Sequence, residues 1–322
     1  MPTDYHIAFW NLENLFDIEN SPRRGEKLQR AIGSSLKGWT QARLDRKIAQ
    51  LASIIMQMNA GSGPDLLGVC EVENDFVLNL LVQALAPVGR NYSIAHHDMS
   101  DRRGIDIGFI FDGDLFAAES IFNHVVMRRT ATRDILQVNF RTAHNRLLVV
   151  IGNHWPSRSG GEFESAGYRA IAGETMAYFH ERILEVLGAD TPVIAMGDFN
   201  DEPFNRSLVD YGLSIRSKSK VLKSKNASFL NLMWPLMGTA NGTFYFDNHP
   251  NILDQFMTNK NLLKNSLPFQ VDLTSPAILK FPEMVAKSTY PKPVPFGGMG
   301  KEVNENGFSD HFPITAKISE QD

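Results

Sequence analysis

Apolar residues fall into short dense runs parted by polar, glycine-bearing stretches, and two longer intervals carry a helical period. His6-Ile-Ala-Phe-Trp-Asn-Leu12 mixes β-branched and aromatic residues and predicts a buried strand. Residues 17–38 are polar and rich in glycine and read as a long surface loop. From Thr40, the expected N-cap, Leu44, Ile48, Leu51, Ile55 and Met58 recur every three to four residues, an amphipathic helix that Gly61-Ser-Gly-Pro64 stops. Asp65–Glu71 is a second buried strand, ending on a carboxylate, and a helix follows near 75–86. Strands are predicted at 104–112, 119–127, 134–140 and 146–153, then a long helix from Glu164 to Leu187. Pro192–Gly197, 252–258 and 312–318 complete the strands.

Strands and helices mixed in this order suit a large α/β sandwich of two packed sheets with helices outside. No repeat or linker divides the chain, so 1–322 is expected to be a single domain. Two stretches read as insertions: 214–226, with Arg216, Lys218, Lys220, Lys223 and Lys225, and the Pro- and Gly-rich 282–307. The first is weighed as a solvated loop against a phosphate-gripping patch.

With 322 residues, 43% of them apolar, the chain can bury a substantial core. No apolar run approaches the ~18 residues of a spanning helix, and no membrane segment is expected. A single cysteine, Cys70, excludes an internal disulfide framework and a multi-thiolate zinc site. A reduced, cytoplasmic location is expected, with export the alternative should a signal peptide have preceded Met1. The net charge of −4 offers no global attraction to polyanions, so a phosphate-bearing substrate must be gripped locally, by a few cations or a metal ion.

Polar residues stand where strands end: Asn11 and Glu13, Glu71, Asn153 and His154, Asp198 and Asn200, Asp254, Asp310 and His311. A sandwich could gather them at one rim. Carboxylate and amide oxygens are hard ligands suited to Mg²⁺, Mn²⁺ or Ca²⁺, and the histidines and remaining Asp–Asn groups could orient water and stabilise a phosphoryl oxygen. Taken singly, each has a plainer reading. Asn11 and Asn14 could cap a turn, Gly197-Asp-Phe-Asn200 could be an Asx turn, and Asp310-His311 a structural pair. His96, His97 and Asp98 read better as a solvated loop than as a metal cluster, Cys70 as a small core residue, and Trp155 as either a stacking or a packing ring.

Six motifs occur in order: Trp10-Asn-Leu-Glu-Asn-Leu-Phe16, Val69-Cys-Glu-Val-Glu-Asn74, Gly152-Asn-His-Trp-Pro-Ser-Arg158, Gly197-Asp-Phe-Asn-Asp-Glu-Pro203, Leu253-Asp-Gln-Phe256 and Ser309-Asp-His-Phe-Pro313. Together, over about residues 5–318, they resemble the endonuclease/exonuclease/phosphatase superfamily, which includes deoxyribonuclease I, abasic-site endonucleases, neutral sphingomyelinases and inositol-polyphosphate 5-phosphatases. The resemblance implies a four-layer α/β sandwich, two packed mixed β-sheets flanked by helices, with a Mg²⁺ site. It implies metal ligation by Glu71, with Asn11 and Asp310 near the ion and Glu13 at a more variable acidic position. It implies that Asp198 aligns or deprotonates the attacking water, that Asn200 donates beside the phosphate, and that His311, oriented by Asp254, hydrogen-bonds a non-bridging oxygen. His154 matches the histidine of deoxyribonuclease I and the sphingomyelinases. Arg133, in Arg128-Arg-Thr-Ala-Thr-Arg-Asp134, stands where a phosphate-gripping arginine is expected, with Asn153 and Arg158 as further substrate contacts. Asp106 resembles a position that supports the site.

The expected activity is hydrolysis of phosphodiesters, as a nuclease acting on DNA or RNA, in the manner of bacterial nucleases of the superfamily. The alternative is a phosphatase or sphingomyelinase-like phosphoesterase acting on a small or lipid phosphate ester. A third class, a binding module that has lost the reaction, would need a substituted site position, and Glu71, Asp198, Asn200, Asp254, Asp310 and His311 all stand.

Overall fold

The computed structural model describes residues 2–99, 101, 103–128, 132–238 and 241–321. In chain order the strands are β1 (Thr3–Leu15), β2 (Leu66–Val72), β3 (Tyr92–His96), β4 (Asp106–Asp112), β5 (Phe116–His124), β6 (Ile135–Thr142), β7 (Leu147–His154) and β8 (Val193–Asp198). Then come β9 (Ser214–Ile215), β10 (Phe229–Asn231), the hairpin β11 (Phe244–Phe246) and β12 (His249–Asn251), β13 (Asp254–Asn259), β14 (Phe269–Val271), β15 (Ala277–Ile278) and β16 (Ile314–Glu320). Sheet one has the order β14-β16-β1-β2-β4-β3, with β15 beside β16, and sheet two the order β5-β6-β7-β8-β13-β10-β9. Both are mixed: β1 runs parallel to β2 and β7 parallel to β8, while β1 pairs antiparallel with β16 and β8 with β13.

Alternation along the strands builds the core. Ile7 and Phe9 of β1 and Ile107 and Phe109 of β4 meet Val138, Phe140, Val150, Ile194, Met196 and Phe256 of sheet two. A large apolar side chain fully buried in this way contributes roughly 1.5–3 kcal/mol. A one-residue slip would turn such a set outward, so burial fixes the register and with it the polar residues beyond each apolar row.

Helices α2 (Gln41–Ile55) and α3 (Asp75–Ala84) cover the outer face of sheet one. They start at the Thr40 and Asn74 caps, whose side-chain oxygens accept from Arg43 N and Val77 N. Helix α4 (Glu162–Leu187) lays Ala172, Met176 and Ile183 on Val149, Ile151, Val193 and Ala195 of sheet two. The result is the expected four-layer α/β sandwich. Among the described residues, no helix is long and apolar enough to cross a membrane.

Two segments differ from their sequence reading. Within 17–38, α1 (Glu26–Ile32) and a 3₁₀ turn (Gly33–Leu36) bury Ile32 and Leu36 against Phe16, Trp39, Ile105 and Phe296. Leu28, Ile32 and Leu36 keep helical spacing beneath the polar composition that suggested a loop. Within 214–226, β9 and α5 (Lys218–Lys223) hold Val221 in the core between the sheets, and the five cations project from that edge. The 282–307 stretch is irregular, with Met284 and Phe296 buried as anchors.

Candidate active site

His154, Asp198 and Asp254 lie side by side on β7, β8 and β13, in register across three adjacent strands. Asp198 continues the inward row of Ile194 and Met196, so these side chains face sheet one at the rim of the sandwich. Gly197 permits the close approach of β7 and β8, since a Cβ there would meet the Asn153 carbonyl oxygen at 2.2 Å. From the opposite sheet Asn11 continues the inward row of Phe9, and its Nδ2 donates to Asp198 Oδ2 at 3.1 Å.

Glu71 breaks the alternation. Its neighbours Val69 and Val72 pack on the outer face of sheet one. A left-handed backbone at Glu71 (φ 60°), with a register shift between Cys70 and Val72, brings Glu71 Oε1 within 3.6 Å of His154 Nε2 on the other sheet. Asn14 N donates to Glu71 Oε2 at 3.1 Å. Glu13, Asn14 and Asn200 share the positive φ. Such conformations cost of order 1–3 kcal/mol each for residues other than glycine and gather where a surrounding structure enforces them.

The last motif is tied to the first. Trp10 Nε1 donates to the His311 carbonyl at 2.8 Å, Ser309 Oγ donates to the Asn11 carbonyl at 2.6 Å, and His311 N donates to Ser309 Oγ. His311 Nδ1 donates to Asp254 Oδ2 at 2.7 Å, which leaves Nε2 4.0 Å from both Asp198 Oδ2 and Asp310 Oδ1. Burial opposes charge on His311, but the carboxylates of Asp254 and Asp198 outweigh it and hold the imidazole well above its ordinary range. His154 is driven the other way, well below, by burial and by the charges of Arg133, Arg103 and His311. One rim therefore carries a cationic and a neutral imidazole. Asp198 is pushed up to about 6 by burial and by Asp254 and Glu71, against the pull of His311. Asn200 N and Nδ2 donate to its two oxygens at 2.9 and 3.1 Å.

The donor set fits a hard divalent cation. Glu13 is buried, its Oε2 accepts from Phe296 N at 2.7 Å, and its Oε1 has no hydrogen-bond partner. Burial and neighbouring Asp310 push its carboxyl up to about 7, the mark of an acidic group short of countercharge. Glu71 and Asp310 are the more open carboxylates of the group. Asp198, Asp254 and His311 also offer ligand atoms within 4.8 Å of one another, though the short His311–Asp254 bond already engages two of the three.

The expected substrate contacts sit differently. Arg133 is buried, with Nε and Nη2 donating to the carbonyls of His154 and Trp155 and Nη1 3.7 Å from Asp101 Oδ2, while residues 129–131 of its motif lie outside the described residues. Asn153 is fully buried, bonded to the Ile151 and Met196 carbonyls and to Trp155 Nε1. Arg158 Nε donates to the Asn200 carbonyl, and its Nη2 to Asp201 and Asn205. All three hold up the backbone behind His154 and Asn200. Trp155 packs edge-on against Phe199 beneath the rim. Asp106 faces His96, at 3.3 Å, on the outer side.

Sequence reasoning passed over Lys47. This lysine of α2 is fully buried, donates to the Phe308 carbonyl at 2.7 Å just before Ser309-Asp310-His311, and neighbours Glu13 and Asp310. A charged residue inside the apolar stripe of Leu44, Ile48 and Leu51 was the available signal.

No curated protein sequence matches the chain. Among solved structures, an endonuclease/exonuclease/phosphatase family protein from Bacteroides thetaiotaomicron superposes with a TM-score of 0.60 at 15% identity, covering 100% of this chain and 99% of that one. A mannosyl-6-phosphatase from the same organism gives 0.59 at 16% identity, covering 98% and 99%. TDP2 from D. rerio, complexed with a single-strand DNA product, gives 0.58 at 13% identity, again covering 98% and 99%. These likenesses concern the fold. The model of the Endonuclease/Exonuclease/phosphatase family matches residues 6–320, and with that span, in a sandwich whose rim gathers all six motifs, the chain belongs to this family.

Proposed function

We propose that this chain is a divalent-metal-dependent phosphodiesterase, a nuclease acting on DNA or RNA. The observation that carries the reading is the His311–Asp254 pair facing Asp198 and Asn200, a cationic donor beside a base at the same rim. A phosphodiester repels hydroxide and has a poor leaving group, so its hydrolysis needs an aligned water and donors for the charge that builds on phosphorus-bound oxygens. Asp198, with its carboxyl near 6, is ionised at neutral pH and still basic enough to take a proton from water. The charged His311 Nε2 is the donor for a non-bridging oxygen, and Asp254 fixes the imidazole's tautomer and orientation. Asn200, whose Nδ2 hydrogens go to Asp198 Oδ2 and the Trp155 carbonyl, steadies the base. His154, neutral and wedged between Glu71 and Asp198, offers Nε2 to a phosphate oxygen or water without adding charge. Asn11, Glu13, Glu71 and Asp310 would hold Mg²⁺, with Mn²⁺ or Ca²⁺ as substitutes, and the ion would neutralise developing negative charge. Arg133, Asn153 and Arg158 act through the backbone they brace.

A second reading, a phosphatase acting on a small phosphate ester, is favoured by the position of the basic segment. Arg216 and the lysines up to Lys225 belong to the β9 edge of sheet two, with β13 and β10 between them and Asp198. The fold itself serves both classes, as TDP2 with its DNA product and the mannosyl-6-phosphatase illustrate for themselves. The deciding experiment is hydrolysis of plasmid DNA, RNA, bis-p-nitrophenyl phosphate and p-nitrophenyl phosphate, with Mg²⁺ or Mn²⁺ against EDTA. Cleavage of the polymers that EDTA abolishes, lost by about two orders of magnitude in Glu71→Ala and His311→Ala, is expected. Turnover of p-nitrophenyl phosphate alone would move the assignment to the phosphatase.

A further inference from the structure

Loop 282–307 and the β11–β12 hairpin border a cavity of about 300 Å³ that opens onto Glu13 and Asp310. The residues lining it include Phe244, Tyr245, Lys292, Lys301 and Glu302. The cavity reaches the reacting centre, because the Phe244 ring lies 4.9 Å from the His311 imidazole. Its loop wall is built in: Phe296 N bonds Glu13, Val294 N and Phe308 N close a ladder with Met284 O and Val294 O, and Asn304 N bonds Phe296 O. Gly297 takes a left-handed turn (φ 84°) at a point where a Cβ would meet the Glu302 carbonyl at 2.1 Å.

Charge in this cavity depends on the carboxylates at its base. Lys301 Nζ sits 3.7 Å from Asp310 Oδ2, and Lys292 Nζ donates to Asn248 Oδ1 at 3.4 Å. A divalent ion on Glu13, Glu71 and Asp310 would offset most of their charge, so that the two lysines face little beyond Glu302 and one residual negative charge. The size is at the lower end of the ~300–1,000 Å³ range of small-molecule sites, room for one nucleotide-sized group and too little for a duplex. Aromatic rings suit a planar base, and lysines a phosphate.

Resting on the phosphodiesterase reading, we propose that this cavity binds one nucleotide unit flanking the scissile phosphate, its base against Phe244 and its distal phosphate on Lys292 and Lys301. The distal phosphate is then a specificity determinant.

The test compares p-nitrophenyl thymidine 5′-phosphate with its 3′-phosphorylated form in Mg²⁺, with bis-p-nitrophenyl phosphate alongside. The 3′-phosphate is expected to raise kcat/KM about tenfold. Lys292→Ala with Lys301→Ala should erase that ratio, and Phe244→Ala should raise KM for both thymidine substrates, while Lys220→Ala on α5 keeps the wild-type ratio. Binding of thymidine 3′,5′-bisphosphate to Asp198→Asn protein, followed by calorimetry, should weaken at least as much in the double lysine variant. Hydrolysis of bis-p-nitrophenyl phosphate with equal turnover of the two thymidine substrates overturns the pocket assignment and leaves the reaction standing. No hydrolysis of any ester overturns the reaction, and the calorimetry then decides the pocket: bisphosphate binding indifferent to both lysines overturns it too.

Discussion

At His311 two forces oppose each other: burial, which disfavours the imidazolium, and the carboxylates of Asp254 and Asp198, which favour it and win. A folded-state value raised in this way keeps the proton through neutral pH and releases it only as pH rises through that value. Asp254→Asn removes the largest attraction while keeping the shape. The alkaline limb of the kcat/KM profile for bis-p-nitrophenyl phosphate is therefore expected to move to lower pH, with kcat down about a hundredfold. A limb that stays in place would show that another group sets it. Individual residues were legible to unequal degrees. Asn11, His154, Asp198 and Asp254 stand at the ends of alternating rows, so their inward direction follows from parity alone. Glu71 has the wrong parity and enters the site only through its left-handed backbone, which no local pattern announces. Arg158 reads as a substrate contact from its motif alone, since the partners it braces, Asn205 among them, lie far along the chain.

Elements with a long period were readable and short ones were not. The Thr40-capped helix and the central strands carry enough repeated apolar positions to reveal their faces. The helix over 162–187 is legible as a helix, but it buries Arg169 and His180 and exposes Phe163 and Tyr178. Strands β9, β10, β14 and β15 have two or three residues each and exist through pairing with distant partners. The junction of β7 and β8 is where element geometry governs chemistry, because their parallel pairing sets His154 beside Asp198. Gly197→Ala would drive a methyl into the Asn153 carbonyl, a backbone contact that cannot swing aside. The expected cost is about 2–3 kcal/mol in urea unfolding. A fall in kcat should accompany it in the fraction that stays folded, since His154 and Asp198 cannot both keep their places. Unchanged stability would mean that the strands separate freely there, contrary to the tight register.

For the whole molecule, the two sheets converge on a rim holding more buried carboxylate than protein cations compensate. Lys47 is a buried countercharge beside Glu13 and Asp310, and burial draws it down to about 8. Glu13 and Asp198 stand at about 7 and 6, raised from ordinary values of 4.5 and 3.8. Groups shifted upward contribute stability that is full below their unfolded values and is lost as pH rises through the folded ones. The metal-free protein is therefore expected to lose stability from these two groups between about pH 4 and 7. A divalent ion needs the deprotonated carboxylates, so its affinity rises over the same interval. Saturating Mg²⁺ should then raise Tm more at pH 8 than at pH 5.5. Glu13→Gln, which deletes a buried charge, should raise the metal-free Tm at pH 8 and shrink the Mg²⁺ shift. Equal shifts at the two pH values would mean that the ion binds without displacing protons. In that case the open carboxylates Glu71 and Asp310 would hold it, and Glu13 would serve only to fasten loop 282–307 through Phe296.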